Sequence, residues 1–196
     1  MYSLVISVIK SVNDWIESAI NVENEKATGV KIDNSARFEN KGSINVFNMA
    51  KGIDVDGEAT NADTGKINVY GGSDGVTNSV GVNIRGGSFI NEGTIAVRSD
   101  DAVGIDNSLG NNVENNGTID VVNGIGVKGS IINTGSIDVS NSGTGVLGNI
   151  ENQGTLTVEL NGTGVKITTV YTAVRNNATM TMGGANITSS SGNGIA

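Results

Sequence analysis

The sequence predicts an all-β solenoid of about seven coils, and three observations carry that prediction. One short pattern, Asn115-Asn116-Gly117-Thr118-Ile119-Asp120-Val121, returns at 40–46, 63–69, 91–97, 133–139 and 152–158, and in altered form at 176–182. The apolar residues inside it, such as Ile119 and Val121, alternate with period two, which marks a strand with one buried face. Gly occurs 29 times and Pro never. Together with 27 Asn, that supplies the residues that enter left-handed backbone conformations most readily, as a chain turning several corners per coil requires.

The chain divides into residues 1–27 and residues 28–196. Over the first, Val5, Val8, Ile9, Val12, Trp15, Ile16, Ala19 and Ile20 recur at three- and four-residue steps, with Lys10, Asn13, Asp14 and Glu17 opposite. That spacing predicts an amphipathic helix capping the N-terminal end of the solenoid, where a bare coil would expose apolar side chains and unpaired backbone groups. Its β-branched residues keep a strand open as the alternative for Ser3 to Ile9. With Lys10 as the one basic residue on its polar face, the helix is not expected to lie on a membrane.

From residue 28 each coil reads as Gly-[Val/Ile], a variable link, an apolar residue two before Asn, the Asn-x-Gly corner, then Thr/Ser-Ile-x-Val. Stacking the copies gives two inward columns, Ile44, Ile67, Ile95, Ile119, Ile137, Leu156, Met180 and Val46, Val69, Val97, Val121, Val139, Val158, Met182. The corner column is Asn40, Asp63, Asn91, Asn115, Asn133, Asn152, Asn176, and an amide that both donates and accepts can bond to the coils on either side. An asparagine ladder is the expectation. The second coil departs from it, with Asp63 at the corner and Asn61 where the other coils have Phe38, Phe89, Val113, Ile131, Ile150 and Val174. Beyond Gly183 another turn begins at Gly194-Ile195, and the array is expected to be truncated mid-coil.

Corner glycines at 42, 65, 93, 117, 135 and 154 are separated by 23, 28, 24, 18 and 19 residues. Such unequal steps place insertions in surface links while the strands hold register. Gly71 to Val80 and Arg98 to Val103 are the candidate binding links, with Gly71, Gly72, Ser73, Asp74, Arg98, Asp100 and Asp101 as the residues offered to a ligand.

Charge and composition exclude several classes. Twelve basic against twenty acidic residues, a net charge of −8, argue against nucleic acid and anionic lipid as partners. Without His or Cys the commonest general base, nucleophile and transition-metal ligands are missing, so catalysis would fall to carboxylates, Lys, Tyr or hydroxyls. Asp120 above Asp138 is the best carboxylate pair, and calcium between them is the functional alternative to a solvated polar face. No Gly-rich phosphate loop and no repeated calcium nonapeptide occurs, so no cofactor and no metal site are expected.

The repeated Asn-x-Gly-Thr-Ile-x-Val with its interleaved Gly-Val and Gly-Ile pairs, over residues 29 to 182, resembles the passenger regions of autotransporter adhesins, the type V secreted surface proteins of Gram-negative bacteria. The resemblance implies a right-handed parallel β-helix displayed on the bacterial surface or secreted. The chain is accordingly read as a rigid stalk and adhesive surface that contacts host-cell or bacterial glycans or proteins. With no compact carboxylate constellation in the sequence, no catalysis is expected. Two other readings stay open at this point: a carbohydrate-active β-helix enzyme or tailspike fragment, and a purely structural spacer.

Overall fold

A computed structural model describes residues 5–9, 14–16, 18–71, 78–159, 161–167, 174–176, 179–182 and 188–189, with side chains between residues 18 and 166. All of its regular structure is β: 21 strands joined in one sheet, with every pairing parallel. About six turns of a parallel β-solenoid lie between Thr28 and Val158. A coil such as the first of these has three short strands, Thr28–Ile32, Arg37–Asn40 and Ser43–Val46. In later coils the third strand of one coil runs on into the first strand of the next, as in Thr94–Asn107 and Thr118–Asn133.

The inward columns stand in register. Ile44 pairs with Ile67, Ile67 with Ile95, Ile95 with Ile119, Ile119 with Ile137 and Ile137 with Leu156. The valines two residues on pair the same way, and all are buried. Identical side chains stacked every ~4.8 Å pack continuously, so each coil is buried by its neighbours rather than by a central core. The Gly-[Val/Ile] pairs have a steric origin. A Cβ on Gly104 would lie 2.6 Å from the Gly126 carbonyl oxygen and 3.0 Å from the Val97 side chain, so only a bare Cα fits between that strand and the valine column. Gly104→Ala should therefore destabilise by about 1–3 kcal/mol, as other overpacking changes do. The check is a urea midpoint lowered at constant slope; an unchanged midpoint would mean that the coil is wider than this.

The N-terminal capping helix is not what forms. Val5–Ile9, Asp14–Ile16 and Ala19–Val22 are strands, pairing with Thr28–Ile32, Arg37–Asn40 and Ser43–Val46 respectively. Ile20 sits opposite Ile44 and Val22 opposite Val46, so these three strands add one more coil to the array. The physical reason is backbone satisfaction. A parallel coil presents a full row of N–H and C=O groups, and β-branched Val and Ile satisfy them as strands, whereas a helix laid across the end would leave them unpaired. The three- and four-residue spacing arose from three separate strands rather than from one helical face. At the other end, Val174–Asn176 and Thr179–Met182 continue the register, while Gly194-Ile195 lie outside the described residues.

The asparagine ladder exists with one corrected member. Asn40, Asn61, Asn91, Asn115, Asn133 and Asn152 are fully buried, and from Asn40 to Asn133 each Nδ2 donates to the next Oδ1 at 2.7–2.8 Å. Nδ2 also faces the carbonyl of its own corner glycine, as from Asn115 to Gly117 at 3.3 Å, and one in the following coil, as to Ser136 at 3.0 Å. In the second coil the rung is Asn61 rather than Asp63, and Ala59 takes the place opposite Phe38. A wider turn, closed by Gly65 N–H donating to Ala62 O at 2.8 Å, carries Asp63 outward, where it caps the Thr64 N–H. The ladder stops at Asn40, whose buried Oδ1 meets no donor, because the coil below offers Ile16 at that register.

Candidate functional site

With both columns and the ladder filling the interior, the groups able to meet a ligand are outward ones. Phe47 and Tyr70 follow the valine column by one residue, on adjacent coils, and their rings stack with centroids 4.7 Å apart and planes 4° apart. On the next coil Arg98 follows Val97. Its Nη2 reaches Asp120 Oδ2 at 2.5 Å and its Nη1 donates to the Asp120 carbonyl at 3.1 Å, so it is held against the coil beyond. Gly71 follows Tyr70, and a Cβ there would lie 2.2 Å from Ser99 Oγ and 3.3 Å from the Asp101 Cβ. The fold thus brings Gly71, Arg98 and Asp101 together beside an aromatic stack. Asp100 is exposed on the same stretch, and Gly72, Ser73 and Asp74 lie outside the described residues.

Two boundaries of these links need correcting. Arg98 to Val103 is no detached loop but part of the strand Thr94–Asn107, with register shifts after Val97 and between Arg98 and Val103. Ala102 and Val103 are buried, which leaves residues 98–101 as the outward part. Likewise Ser79 and Val80 belong to the strand Ser79–Ile84, and buried Ser79 Oγ accepts the Met49 N–H at 3.0 Å. After the irregularity at Arg98 pairing resumes at Val103, because residues flanking a β-bulge can rejoin the ladder.

Asp120 does stand above Asp138. Each has its own partner: Arg98 for Asp120, and the Ser136 hydroxyl, at 2.5 Å, for Asp138. The same outward column holds a second amide ladder, with Asn45 Nδ2 donating to Asn21 Oδ1 and Asn68 Nδ2 to Asn45 Oδ1, both at 2.8 Å. Among the described residues no three acidic side chains converge as a metal site would need.

The residues just after each Gly-[Val/Ile] form a further outward column in register, Lys31 to Asp54 to Asn83 to Asp106 to Lys128 to Leu147 to Lys166. In it Lys31 beside Asp54 and Asp106 beside Lys128 bring opposite charges together. Lys128 meets Asp106 at 3.5 Å, whereas Lys31 turns to Asp33 at 3.3 Å. Asp54 is instead bound by Asn83 Nδ2 at 2.6 Å and Arg85 Nε at 3.1 Å, and Arg85 Nη2 also holds Asp56 at 2.6 Å. Spacing alone misses this pairing, since Arg85 meets Asp54 only once the coils are set in register. Arg85→Met should cost about 1 kcal/mol in low salt and less in about 1 M NaCl. Equal losses in both buffers would show that Arg85 acts through packing.

Sequence reasoning also misses a concave edge, the corner between the first and second strands of each coil. One hollow there is lined by Ser35, Arg37, Asp56 and Glu58, and two more adjoin residues 108–111. The only sequence signal is that corner's varying length. Comparison of the chain with protein-family models, with curated proteins and with solved structures finds no match. The class defined here is therefore that of the fold, a parallel β-solenoid with a solid interior and an outward-facing surface.

Proposed function

We propose that this chain is a surface-exposed passenger segment of a bacterial autotransporter-like adhesin, a rigid stalk whose outer face binds glycans or proteins of host or bacterial cells. The coil is right-handed, the hand of about 98% of parallel strand crossovers. The observation that carries the reading is the grouping of Gly71, Arg98 and Asp101 beside the Phe47–Tyr70 stack, on a rod whose interior is filled. A flat aromatic and charged patch on the outside of a filled rod favours weak surface contacts, multiplied where many copies of the rod are displayed together, which suits adhesion better than turnover.

The test replaces residues 72–77 by a Gly/Ser linker of equal length and adds Asp100→Ala and Asp101→Ala. Cell adherence of the fragment should fall several-fold, with the melting temperature unchanged. Adherence that is absent from the parent fragment would favour the spacer, and adherence that survives the changes would move binding to another face. Release of sugars from a polysaccharide, lost in Asp120→Asn, would favour an enzyme.

A further inference from the structure

Where the first strand of a coil turns into the second, residues 108–111 have no counterpart in the two coils that follow. Asn107 pairs with Gly129 and Gly129 with Gly148, and the chain then passes directly to Ser130 and Asn149. The short corners depend on glycine. Gly129 has φ +109°, and a Cβ there would lie 2.1 Å from the Asn107 carbonyl oxygen. A longer coil therefore overhangs two shorter ones, and beneath it opens a cleft of about 340 Å³. That volume is within the range of small-ligand sites, ~300–1,000 Å³. A second hollow of about 410 Å³ shares Gly110, Ser130 and Asn149 with it, so the concave surface extends past one binding unit.

The overhang is held rigidly. Buried Asn107 accepts the Asn111 N–H at 2.8 Å on Oδ1, and its Nδ2 donates to the carbonyls of Asn111 at 2.9 Å and Ser130 at 2.7 Å. Both backbone groups of Asn111 are thereby used, yet its side-chain Nδ2, which is buried, meets no acceptor of the chain. A buried donor without an acceptor is destabilising. Because half-buried Asn111 lines the cleft, a turn of its side chain brings this donor to a ligand acceptor without breaking a bond of Nδ2 within the chain. The floor is chemically mixed. Ile132, 38% exposed in mid-strand, has Glu114 on one side and Glu151 on the other in strict register.

We propose that this cleft binds a neutral oligosaccharide. The C–H face of a pyranose fits on Ile132, its hydroxyls donate to Glu114 and Glu151, and a ring or hydroxyl oxygen accepts from Asn111 Nδ2. Glu114 and Glu151 stand on the floor of this cleft, and no Lys or Arg is among the described residues lining it. Lys128 lines only the adjoining hollow, paired with Asp106, and Arg175 follows Glu151 in register outside the lining. A sialylated or uronate sugar seated on Ile132 would therefore meet like charge. The site lies on a different edge from the Gly71 and Arg98 cluster and stands independently of the adhesin reading.

The experiment titrates the intact, ¹⁵N-labelled chain with short neutral oligomers of hexose and N-acetylhexosamine, and with uronates of matched length. Saturable shifts of the Ile132, Asn149 and Glu151 amides are expected with a neutral oligomer and not with uronates. Asn111→Ala should weaken that binding about tenfold or more while the melting temperature holds or rises, because only an unpaired donor is removed. Ile132→Asp, exposed and so tolerated by the fold, should abolish it. Absence of saturation at millimolar sugar, tighter binding of uronates, or affinity unchanged in Asn111→Ala would each overturn the proposal. Sugar binding without cell adherence upholds the cleft and removes the adhesin reading, and adherence without sugar binding does the reverse.

Discussion

Val139→Asp is expected to unfold the central coils, with a loss of about 4 kcal/mol or more. Val139 is buried and paired with Val121 on one side and Val158 on the other, so the new carboxylate would have only apolar neighbours in its column. It must be buried charged without a partner or take up a proton, and both are unfavourable at neutral pH. Asp138, one residue earlier, points outward, and Asp138→Ser should cost only a few tenths of a kcal/mol, as surface changes usually do. Circular dichroism against urea separates the two variants. Overlapping transitions would mean that the strand facing is reversed.

Asn115→Ala should have the second largest effect, about 3 kcal/mol, because one side chain serves several buried groups at once. Its removal strands Asn133 Oδ1, 2.7 Å from Asn115 Nδ2, and leaves Asn91 Nδ2, 2.7 Å from Asn115 Oδ1, with only the longer bonds to the Gly93 and Thr118 carbonyls. The carbonyls of Gly117 and Ser136 lose a donor as well. Asn45→Ala breaks a ladder of similar bond length on the partly exposed outer face, where water replaces the lost partner, and should cost about 0.5–1 kcal/mol. The comparison of Asn115→Ala with Asn45→Ala isolates burial from bond geometry. Equal losses would show that the inner ladder draws no extra strength from its dry surroundings.

What the sequence makes legible is whatever each coil must repeat. Ile119 and Val121 recur because an inward column tolerates no polar member, and Asn115 recurs because a ladder needs the same amide at every rung. Corners escape because nothing obliges them to repeat. Counting from Gly65 puts Asp63 in the ladder, when the wider turn at residues 62–65 shifts the rung to Asn61. Between Val5 and Val22 three separate strands share the stretch, so no single period-two run is long enough to stand out and their apolar residues together show the spacing of a helix.

The candidate surface was legible to the same degree. Gly71, Arg98 and Asp101 stand out because they interrupt the repeat, but that Gly71 lies against Ser99 and Asp101 is seen only when coils are stacked. The Arg98 pairing with Asp120 and the Arg85 pairing with Asp54 also cross coils, and their sequence separations follow from corner lengths that no motif encodes. The cleft beneath residues 108–111 is a difference in length between coils, which a search for repeated residues passes over.

The most direct test of the account is the register itself, read by engineered disulfides in a chain that has no cysteine of its own. Asp138 and Thr157 are register partners on the outward face of adjacent coils. Asp138→Cys with Thr157→Cys places the two Cα atoms ~4.8 Å apart, inside the span a disulfide bridges, whereas Asp138→Cys with Thr155→Cys is offset by two residues to ~8 Å. Mild oxidation should close the first pair quantitatively in the native state and leave the second as free thiols. Closure of the offset pair, or of neither, would contradict the parallel stacking on which the fold, the outer surface and the cleft all depend.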